Sequence, residues 1–364
     1  MGTLSSTSAQ REYFKRPADE KFKTLEDLHA SALADRKACA SATIKPGRLE
    51  AVVADGAIAV RGKDTGTIAK LTHWAMSQVS RLVSAPAGYL RTLSPALAVQ
   101  NLNEGFAKLE TAVSDRDMSA YFRRGSNGLT LRALTTPDYK RLHDHTVAEY
   151  LMKLRDVRPG LDLPPIWEGG NGGAYRGDRD QFVIMVDGGS IVNDPSQMNG
   201  SGKMNRGIIA RNSEVGAAKW EILTFWFRWI CGNHMIGGFE RVAQTSTRHV
   251  GKIEERFQTM TDAAMAFFDR PASEDEARIR QLMAVELGRD RDAVVDAGRD
   301  LGLTLEQSGT SYDLAEQFEQ NPRSIWGFAN GITRASQDTE YQDDRLSLDL
   351  MAAKLMRRKL QIAA

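Results

Sequence analysis

The chain has 364 residues, of which 41% are hydrophobic and 26% charged, and its formal net charge is +1. This composition predicts a folded protein of one large or two modest domains with a sizeable apolar core. The net charge of +1 gives no overall reason to expect nucleic-acid binding. No apolar run approaches the ~18 residues that a membrane helix needs.

The first third of the chain predicts helices on either side of a hairpin. Apolar residues at near-helical spacing predict a helix over residues 12–38, with Thr24 as a candidate N-cap. Two alternating apolar runs flank Asp55 and Gly56, a pair that favours a two-residue hairpin turn. Helices are then predicted over residues 68–83 and, starting from a proline, over residues 95–109.

The middle of the chain alternates predicted strands and helices. In order, it predicts a hairpin over residues 121–134, a helix over 138–154, two strands within 167–186, a strand over 207–210 and an aromatic segment over 220–230. Residues 188–204 are rich in Gly, Ser and Asn, which predicts a long loop that is either mobile or ordered by a ligand. Trp226 and Trp229 are interpreted as core residues.

The last third of the chain has an almost purely helical pattern. Ser273 and Glu276 have the spacing of a capping box, and residues 324–356 predict one or two long helices. The predicted fold class is therefore α+β, a mixed or antiparallel β-sheet with hairpins packed on helices, followed by an all-helical C-terminal third. The predicted units are an N-terminal helical segment (1–40), an α+β core domain (41–250) and a helical C-terminal region (251–364).

Candidate catalytic and metal-binding residues are few. Cys231-x-x-His234 together with His143-x-His145 has residue types that bind zinc, but a thiol among apolar neighbours is more often a packing residue. Cys231 could instead be a nucleophile with His234 or His249 as its base, although no nucleophile motif surrounds it. The sequence predicts no catalytic residue, no bound metal and no cofactor.

Two glycine-rich segments, residues 169–173 and 200–203, could present main-chain N–H groups to a phosphate. Neither segment matches a P-loop or a dinucleotide-binding fingerprint. A turn between strands for the first segment and a flexible loop tip for the second are therefore the competing interpretations.

Positive charge is concentrated locally although the whole chain is nearly neutral. From Lys203 to Lys252, eight positive and three negative residues give a net charge of +5. Proteins hold single-stranded nucleic acid in basic grooves with aromatic side chains on which the bases stack. The candidate nucleic-acid-binding residues are the cations beside aromatic residues, a hairpin turn or the predicted loop: Arg123, Arg124, Arg132, Lys140, Arg141, Lys203, Arg206, Arg211, Lys219 and Arg248.

Several segments occur in an order that resembles a known family. They include TIKPGRLEAVVADGAIAV, LTLRALTTPDYKRLHDHTV, RGIIARNSEVGAAKWEILTFWFRWICGNHMI and IWGFANGITRASQ. Together they resemble the phage/plasmid-like protein family built on domain of unknown function 932, over roughly residues 40–355. The most specific element is N-S-E-V-G at residues 212–216, followed by an aromatic stretch that ends in W-I-C-G-N. No reaction is assigned to that family, so no catalytic residue is carried over from it.

The resemblance implies a role on a mobile element, where DNA maintenance, recombination and evasion of host defence are the common tasks. A weaker, fold-level analogy links helix 138–154, the strands within 166–210 and the element after Asn212 to the β-β-β-α core of single-strand annealing proteins. We therefore expect a protein that binds and anneals single-stranded DNA in recombination. We expect it to associate with itself into a ring or filament and to have no membrane partner.

Two other classes of function stay open. One is an interaction protein that binds a host recombination or defence protein, or its nucleotide signal, through the glycine-rich loops. The other is a hydrolase or nuclease that uses Cys231, His249 or the acids Asp178, Asp180 and Asp187. The two cysteines are far apart and the first residues lack the apolar centre of a secretion signal, so we expect a cytoplasmic protein.

Overall fold

The structure is a computed structural model that describes residues 17–111, 116–165, 172–196, 202–228, 233–235, 253–339 and 342–360. Its strands are β1 (Lys21–Phe22), β2 (Cys39–Ile44), β3 (Leu49–Ala54), β4 (Ala57–Gly62), β5 (Ile68–Leu71), β6 (Met118–Gly125), β7 (Gly128–Thr135), β8 (Leu161–Asp162), β9 (Ala174–Arg176), β10 (Gln181–Asn193), β11 (Lys203–Asn212), β12 (Glu221–Arg228) and β13 (Asn233–Met235).

The helices are α1 (Leu25–Lys37), α2 (His73–Leu82), α3 (Ala87–Thr92), α4 (Pro95–Glu110), α5 (Asp144–Val157), α6 (Ile253–Asp269), α7 (Ala272–Ala284), α8 (Arg291–Leu301), α9 (Leu305–Phe318), α10 (Ile325–Ser336) and α11 (Gln342–Leu360). Short 3-10 helices lie at Ala18–Glu20 and Pro46–Arg48. In the part of the chain that the structure describes, no helix combines the length and the apolar character needed to cross a bilayer.

The larger sheet has the strand order β1-β9-β10-β11-β12-β13, with β8 paired to β10, and its strands are antiparallel. Val183, Ile208 and Trp226 point into an apolar cluster that also contains residues of α1, α5 and the C-terminal helices. Ile184 and Phe225 belong to a second cluster, which includes residues of α11. Because both faces are covered, the central parts of these strands are nearly continuous apolar runs rather than alternating ones: residues 182–186 of β10, 207–210 of β11 and 222–227 of β12.

The smaller sheet has the strand order β2-β6-β7-β5-β4-β3. Its neighbours are antiparallel except β5 and β7, which run parallel. Val60, Ala69 and Leu131 share an apolar cluster with Val79 of α2 and Phe106 of α4. The two helices therefore cover one face of this sheet, and the parallel pairing brings the start of α2 close to β7.

The predicted fold class is confirmed, since mixed and antiparallel sheets are followed by a helical C-terminal third. Both hairpins are confirmed as well. Asp55 and Gly56 form the turn between β3 and β4 with positive φ angles of 50° and 74°, and Gly125 pairs with Gly128 between β6 and β7. Trp226 is fully buried, as predicted, whereas Trp229 lies outside the described residues. The predicted domain boundaries stay predictions.

Two predicted helices are shorter than expected. Residues 68–71 form strand β5, and α2 begins only after Thr72, whose side chain accepts a hydrogen bond from Ala75 N. Likewise α1 begins after Thr24, the predicted N-cap, while Lys21–Phe22 form a strand and residues 12–16 lie outside the described residues. The short run at residues 68–71 fits a strand as well as a helix, and its pairing with β4 and β7 makes it a strand, while Lys21–Phe22 pair with β9.

The predicted loop at residues 188–204 is wrong at both of its ends, where residues 188–193 and 203–204 belong to strands. Strand β10 continues to Asn193 and β11 already begins at Lys203, with a register shift between Val186 and Ile191. At this bulge, Ser190 Oγ accepts a hydrogen bond from Arg206 N (3.0 Å) and Asn205 Nδ2 donates to Asp187 O (2.9 Å). Buried polar side chains complete the strand pairing here, so no apolar alternation marks the strands.

Two helix starts also differ from the prediction. The helix predicted from residue 138 begins at Asp144, because residues 138–143 are the end of a turn and an irregular segment that leads to the junction described below. The predicted capping box of Ser273 and Glu276 is wrong, since α7 begins at Ala272 directly after Pro271 and has no side-chain cap. The predicted long helices near the C-terminus are confirmed as α10 and α11.

Candidate functional site

The N-S-E-V-G motif lies where the larger sheet meets the smaller one. It begins at the last residue of β11, where Asn212 Nδ2 donates to Leu142 O (3.0 Å) and to Asp144 Oδ1 (2.8 Å). Val215 O accepts hydrogen bonds from Trp74 Nε1 (2.8 Å) and Gln78 Nε2 (3.4 Å), both on α2 above the smaller sheet. The motif therefore connects the end of the larger sheet to the helix that covers the smaller one.

Glu214 is the centre of a buried ionic network at this junction. Its Oε2 accepts from Arg132 Nη1 of β7 at 2.9 Å, and its Oε1 accepts from Asp144 N at 2.9 Å. Arg132 also bonds Asp35 of α1 (3.0 Å), and Asp35 accepts from Arg176 of β9 (2.6 Å). Side chains from both sheets and from α1 thus meet in one network that excludes solvent.

The carboxyl groups of this network have strongly shifted pKa values. Burial opposes the charge on Glu214, but the hydrogen bonds from His143 and Asp144 N and the charge of Arg132 lower the pKa of its carboxyl to about 2. Burial and the neighbouring Glu214 raise the pKa of Asp144 to about 7. Because Glu214 and Asp144 are 2% and 1% exposed, a substrate in solvent cannot reach them. The network holds the two sheets together.

Basic side chains, all exposed except the half-buried Arg141, surround the loop at residues 213–220 that contains most of the motif. We call this group the junction surface, and it consists of His73, Arg91, Lys140, Arg141, Arg179 and Lys219. Arg141 Nη1 donates to Glu214 O, and its guanidinium lies 3.9 Å from the centre of the Tyr121 ring. Lys140 and Lys219 are exposed, and neither has an ion-pair partner among the described residues.

Three basic side chains of the junction surface meet at the start of α2. Arg91 Nη2 donates to His73 O (3.0 Å) and to Ser77 Oγ (2.6 Å). The Arg179 guanidinium lies 5.3 Å from the centre of the Trp74 ring, and Arg179 O accepts from Ser213 Oγ at 2.6 Å. Partial burial, followed by the charges of Arg91 and Arg179, lowers the pKa of His73. The site therefore has positive potential at the position of the His73 ring.

Several of the predicted nucleic-acid-binding residues are buried in ion pairs. Arg132 is part of the network around Glu214, and Arg206 bonds Asp275 (2.8 Å) and Phe268 O (2.9 Å). Arg206 thereby attaches α6 and α7 to β11. Arg211 is mostly buried, with its guanidinium 4.0 Å from Glu221.

The other predicted residues are divided between two ends of the larger sheet. Lys140, Arg141 and Lys219 lie together at the junction surface. Lys203 is exposed at the start of β11. Because β11 is ten residues of extended chain, Lys203 lies about 30 Å from Asn212 at its other end. Arg124 is exposed on β6, Arg123 lies between Asp35 (3.4 Å) and Asp178 (3.0 Å), and Arg248 lies outside the described residues. Their assignment to nucleic acid stays a prediction.

Sequence reasoning missed His73, Arg91 and Arg179. Arg179 follows a glycine-rich stretch in which no apolar pattern indicates a structural role. His73 and Arg91 reach the motif only because β5 pairs with β7 in parallel, which carries α2 to the junction. In the sequence, the local pattern that could have indicated these residues is the pair His73 and Trp74, which directly follows the helix N-cap Thr72.

The alternative chemical sites receive little support from the described residues. Among them, no group of three or more His, Cys, Asp or Glu side chains is arranged to hold a metal ion. The His143 and His145 rings are stacked 5.7 Å apart, but Cys231 and His249 lie outside the described residues. Asp187 is buried and accepts from Arg158 at 2.7 Å. Most of the two glycine-rich segments also lies outside the described residues.

Comparison with known proteins identifies a family for this chain. The family model of a domain of unknown function, DUF932, matches residues 134–341, which is more than half of the chain. No curated protein and no solved structure matches. The matched region runs from the end of β7 through α10 and includes the N-S-E-V-G motif and its buried network.

Proposed function

The chain belongs to the DUF932 family, and we propose that it binds single-stranded DNA at the junction surface without making or breaking bonds. The observation that carries this proposal is the set of exposed cations around one loop. Lys140, Lys219 and Arg91 have no carboxylate partner among the described residues, so their charges are available to phosphate groups.

Aromatic rings beside these cations support a single strand rather than a duplex as the ligand. Trp74 and Tyr139 are half-buried next to Arg179 and Arg141, whose guanidinium groups lie 5.3 Å from the respective ring centres. Single-strand binding proteins combine cations that follow the phosphates with planar groups on which bases stack. Guanidinium groups held over rings present such planar surfaces to an unpaired base.

Rigidity beneath the surface also supports the proposal. The loop that carries Lys219 is held from below by the hydrogen bonds of Ser213 and Val215 and by the buried pair of Glu214 and Arg132. A preorganised set of cations loses less conformational entropy on binding than a set on a mobile loop. The motif thus has an indirect part in binding, because it fixes the position of the cations.

The test is the binding of a labelled single-stranded oligonucleotide of mixed sequence, followed by fluorescence anisotropy at increasing salt. We expect the affinity to fall with salt, since phosphate binding releases counterions. The double variant Lys140→Gln, Lys219→Gln should bind several-fold more weakly, with the salt slope reduced by about 1.4, or about 0.7 for each phosphate contact.

Lys203→Gln is the matched control, since Lys203 is an exposed lysine at the opposite end of β11. It should bind the oligonucleotide as tightly as the unmodified chain does. An absence of binding at micromolar protein, an affinity indifferent to salt, or an equal loss in the control variant would each refute the proposal.

We propose further that copies of the chain associate when they bind DNA and so bring two strands together for annealing. Light scattering with and without the oligonucleotide measures this directly. The expected result is an increase in molar mass to several copies per particle. A constant single-copy mass would leave DNA binding intact but would refute annealing by an oligomer.

A further inference from the structure

Strand β2 is an exposed edge of the smaller sheet. It pairs with β6 on one side, and it is the end of the strand order among the described residues. The four residues from Ala40 to Thr43 are exposed, so neither face of the strand is packed there against another element of the described residues. Cys39–Ile44 contains no charged residue and no proline, the two features that most often protect an edge strand from further pairing.

The main-chain groups of this edge point outward at alternate residues. Arg124 N donates to Ala38 O at 2.9 Å, which makes these two residues a hydrogen-bonded pair of the antiparallel ladder. In such a ladder the hydrogen-bonded positions alternate. Ser41 and Thr43 therefore direct their N–H and C=O groups away from β6.

The opposite edge of the same sheet is closed. On β3, the Asn103 side chain of α4 accepts a hydrogen bond from Ala51 N (2.6 Å) and donates one to Ala51 O (3.0 Å). Asn103 thus occupies the main-chain groups that an added strand would need at the centre of β3. At β2, Arg36 Nη1 donates to Cys39 O (3.2 Å) at the start of the strand, but no side chain of the described residues bonds the main-chain groups of Ser41 or Thr43.

Positive charge lies at both ends of the open edge. Lys37 precedes β2 and Lys45 follows it, and both are exposed without an ion-pair partner among the described residues. Arg124, which pairs with Ala38, is exposed beside Lys37. If a second copy paired through β2 about Ser41, Lys37 of one copy would lie near Lys45 of the other, and such like charges across a strand pair are unfavourable.

We propose that β2 binds an extended segment of a partner protein by strand addition, and that this segment has an uncharged centre and acidic residues at its ends. Main-chain hydrogen bonds at Ser41 and Thr43 supply affinity, as in other strand-addition complexes. The acidic ends face Lys37 at one end of β2 and Lys45 at the other, which sets the preference for this partner over a second copy.

The experiment uses the full chain and a fluorescent synthetic peptide with alternating valine and threonine at its centre and glutamates at both ends. A second peptide has lysines in place of the glutamates. We expect anisotropy to report tighter binding of the glutamate peptide by about tenfold or more. Methylation of the central peptide nitrogens should abolish its binding, since it removes main-chain donors.

Ser41→Pro removes an outward N–H and should weaken binding of the glutamate peptide by about tenfold. Its matched control is Val53→Pro on β3, the other edge strand. Ala51 N faces outward, since it donates to the Asn103 side chain, and Val53, two residues later on the same strand, therefore also faces outward. The double variant Lys37→Glu, Lys45→Glu should reverse the preference and bind the lysine peptide more tightly. This reversal tests the proposal even if a proline variant does not fold.

Several outcomes would overturn the proposal. They are equal binding of both peptides by the unmodified chain, equal losses in the two proline variants, or a dimer by light scattering that Ser41→Pro returns to a monomer. Loss of oligonucleotide binding in Ser41→Pro with peptide binding intact would likewise assign the edge to nucleic acid. Since the junction surface is unchanged in Ser41→Pro, this proposal and the proposed function fail separately.

Discussion

Arg132 of β7 and Glu214 after β11 form an ion pair of 2.9 Å in which the two side chains are 1% and 2% exposed. One comes from each sheet, so the pair crosses the junction. Breaking a buried pair leaves the remaining charge without compensation in a medium of low polarity. We expect Glu214→Ala to lower the free energy of unfolding by about 3–5 kcal/mol, measured by urea denaturation followed by circular dichroism.

The control for this prediction is Glu149→Ala, which removes a largely exposed carboxylate paired with Lys153 on α5. Exposed pairs are screened by solvent, so the unfolding midpoint should stay close to that of the unmodified chain. Equal destabilisation by the two substitutions would contradict a central role for the junction pair.

Asp144 makes the stability depend on pH. Burial and the charge of Glu214 raise the pKa of Asp144 from 3.8 to about 7 in the folded chain. The folded state therefore binds a proton more readily than the unfolded state, and this contribution to stability is present below about pH 4 and is lost as the pH rises towards 7. The lowered pKa of Glu214 acts in the opposite sense, but only below about pH 4.5.

Asp144→Asn tests the effect, because the amide stays neutral at every pH. Urea denaturation at about pH 5 and about pH 8 should show a smaller difference for this variant than for the unmodified chain. Identical pH dependence in the two proteins would assign the effect to other titrating groups.

Arg206 shows that a charged residue in the sequence is not necessarily exposed to solvent in the fold. Its interpretation as a phosphate-binding residue followed from its neighbours, yet the side chain is 3% exposed and bonded to Asp275. We expect Arg206→Ala to reduce the free energy of unfolding by about 3–5 kcal/mol. Oligonucleotide affinity, measured at a temperature where the variant is folded, should stay unchanged. A selective loss of affinity with normal stability would instead indicate phosphate binding.

The sequence predicted the features that depend on neighbouring residues. The hairpin turn at Asp55 and Gly56, the N-cap Thr24 and the burial of Trp226 all follow from local patterns. Features that depend on distant pairing were not predictable in this way. Arg132 and Glu214 are 82 residues apart, and their contact arises only from the arrangement of two sheets. A single sequence carries no local mark of such a contact.

The same reasoning explains the strands hidden in the predicted loop at residues 188–204. Periodicity identifies a strand when apolar and polar residues face different surroundings. Along the end of β10 and the start of β11, buried polar groups such as Ser190 and Asn205 bond the main chain across a bulge. Their composition is typical of a loop although their main chain is extended and paired.

Gly331 permits close packing of α10 against α9. A Cβ atom added there would lie 2.0 Å from Ser311 O and 2.9 Å from Ala315 Cβ, so the two helices would have to separate. We expect Gly331→Ala to lower the free energy of unfolding by about 1–3 kcal/mol, measured by urea denaturation. Gly88→Ala on α3 is the control, since its added Cβ would meet no other element within 4 Å among the described residues and alanine favours a helix. Equal effects would contradict the packing argument.

His73 should make oligonucleotide binding depend on pH. In the free chain, burial and the charges of Arg91 and Arg179 lower its pKa, so the ring is neutral at pH 7. A phosphate group bound beside it favours the protonated ring and raises that pKa. The affinity should therefore increase as the pH falls below about 6.5, and His73→Gln should remove this increase while His29→Gln on α1 keeps it. Anisotropy titrations across this range measure the effect, and parallel pH profiles for the two variants would exclude His73 from the binding surface.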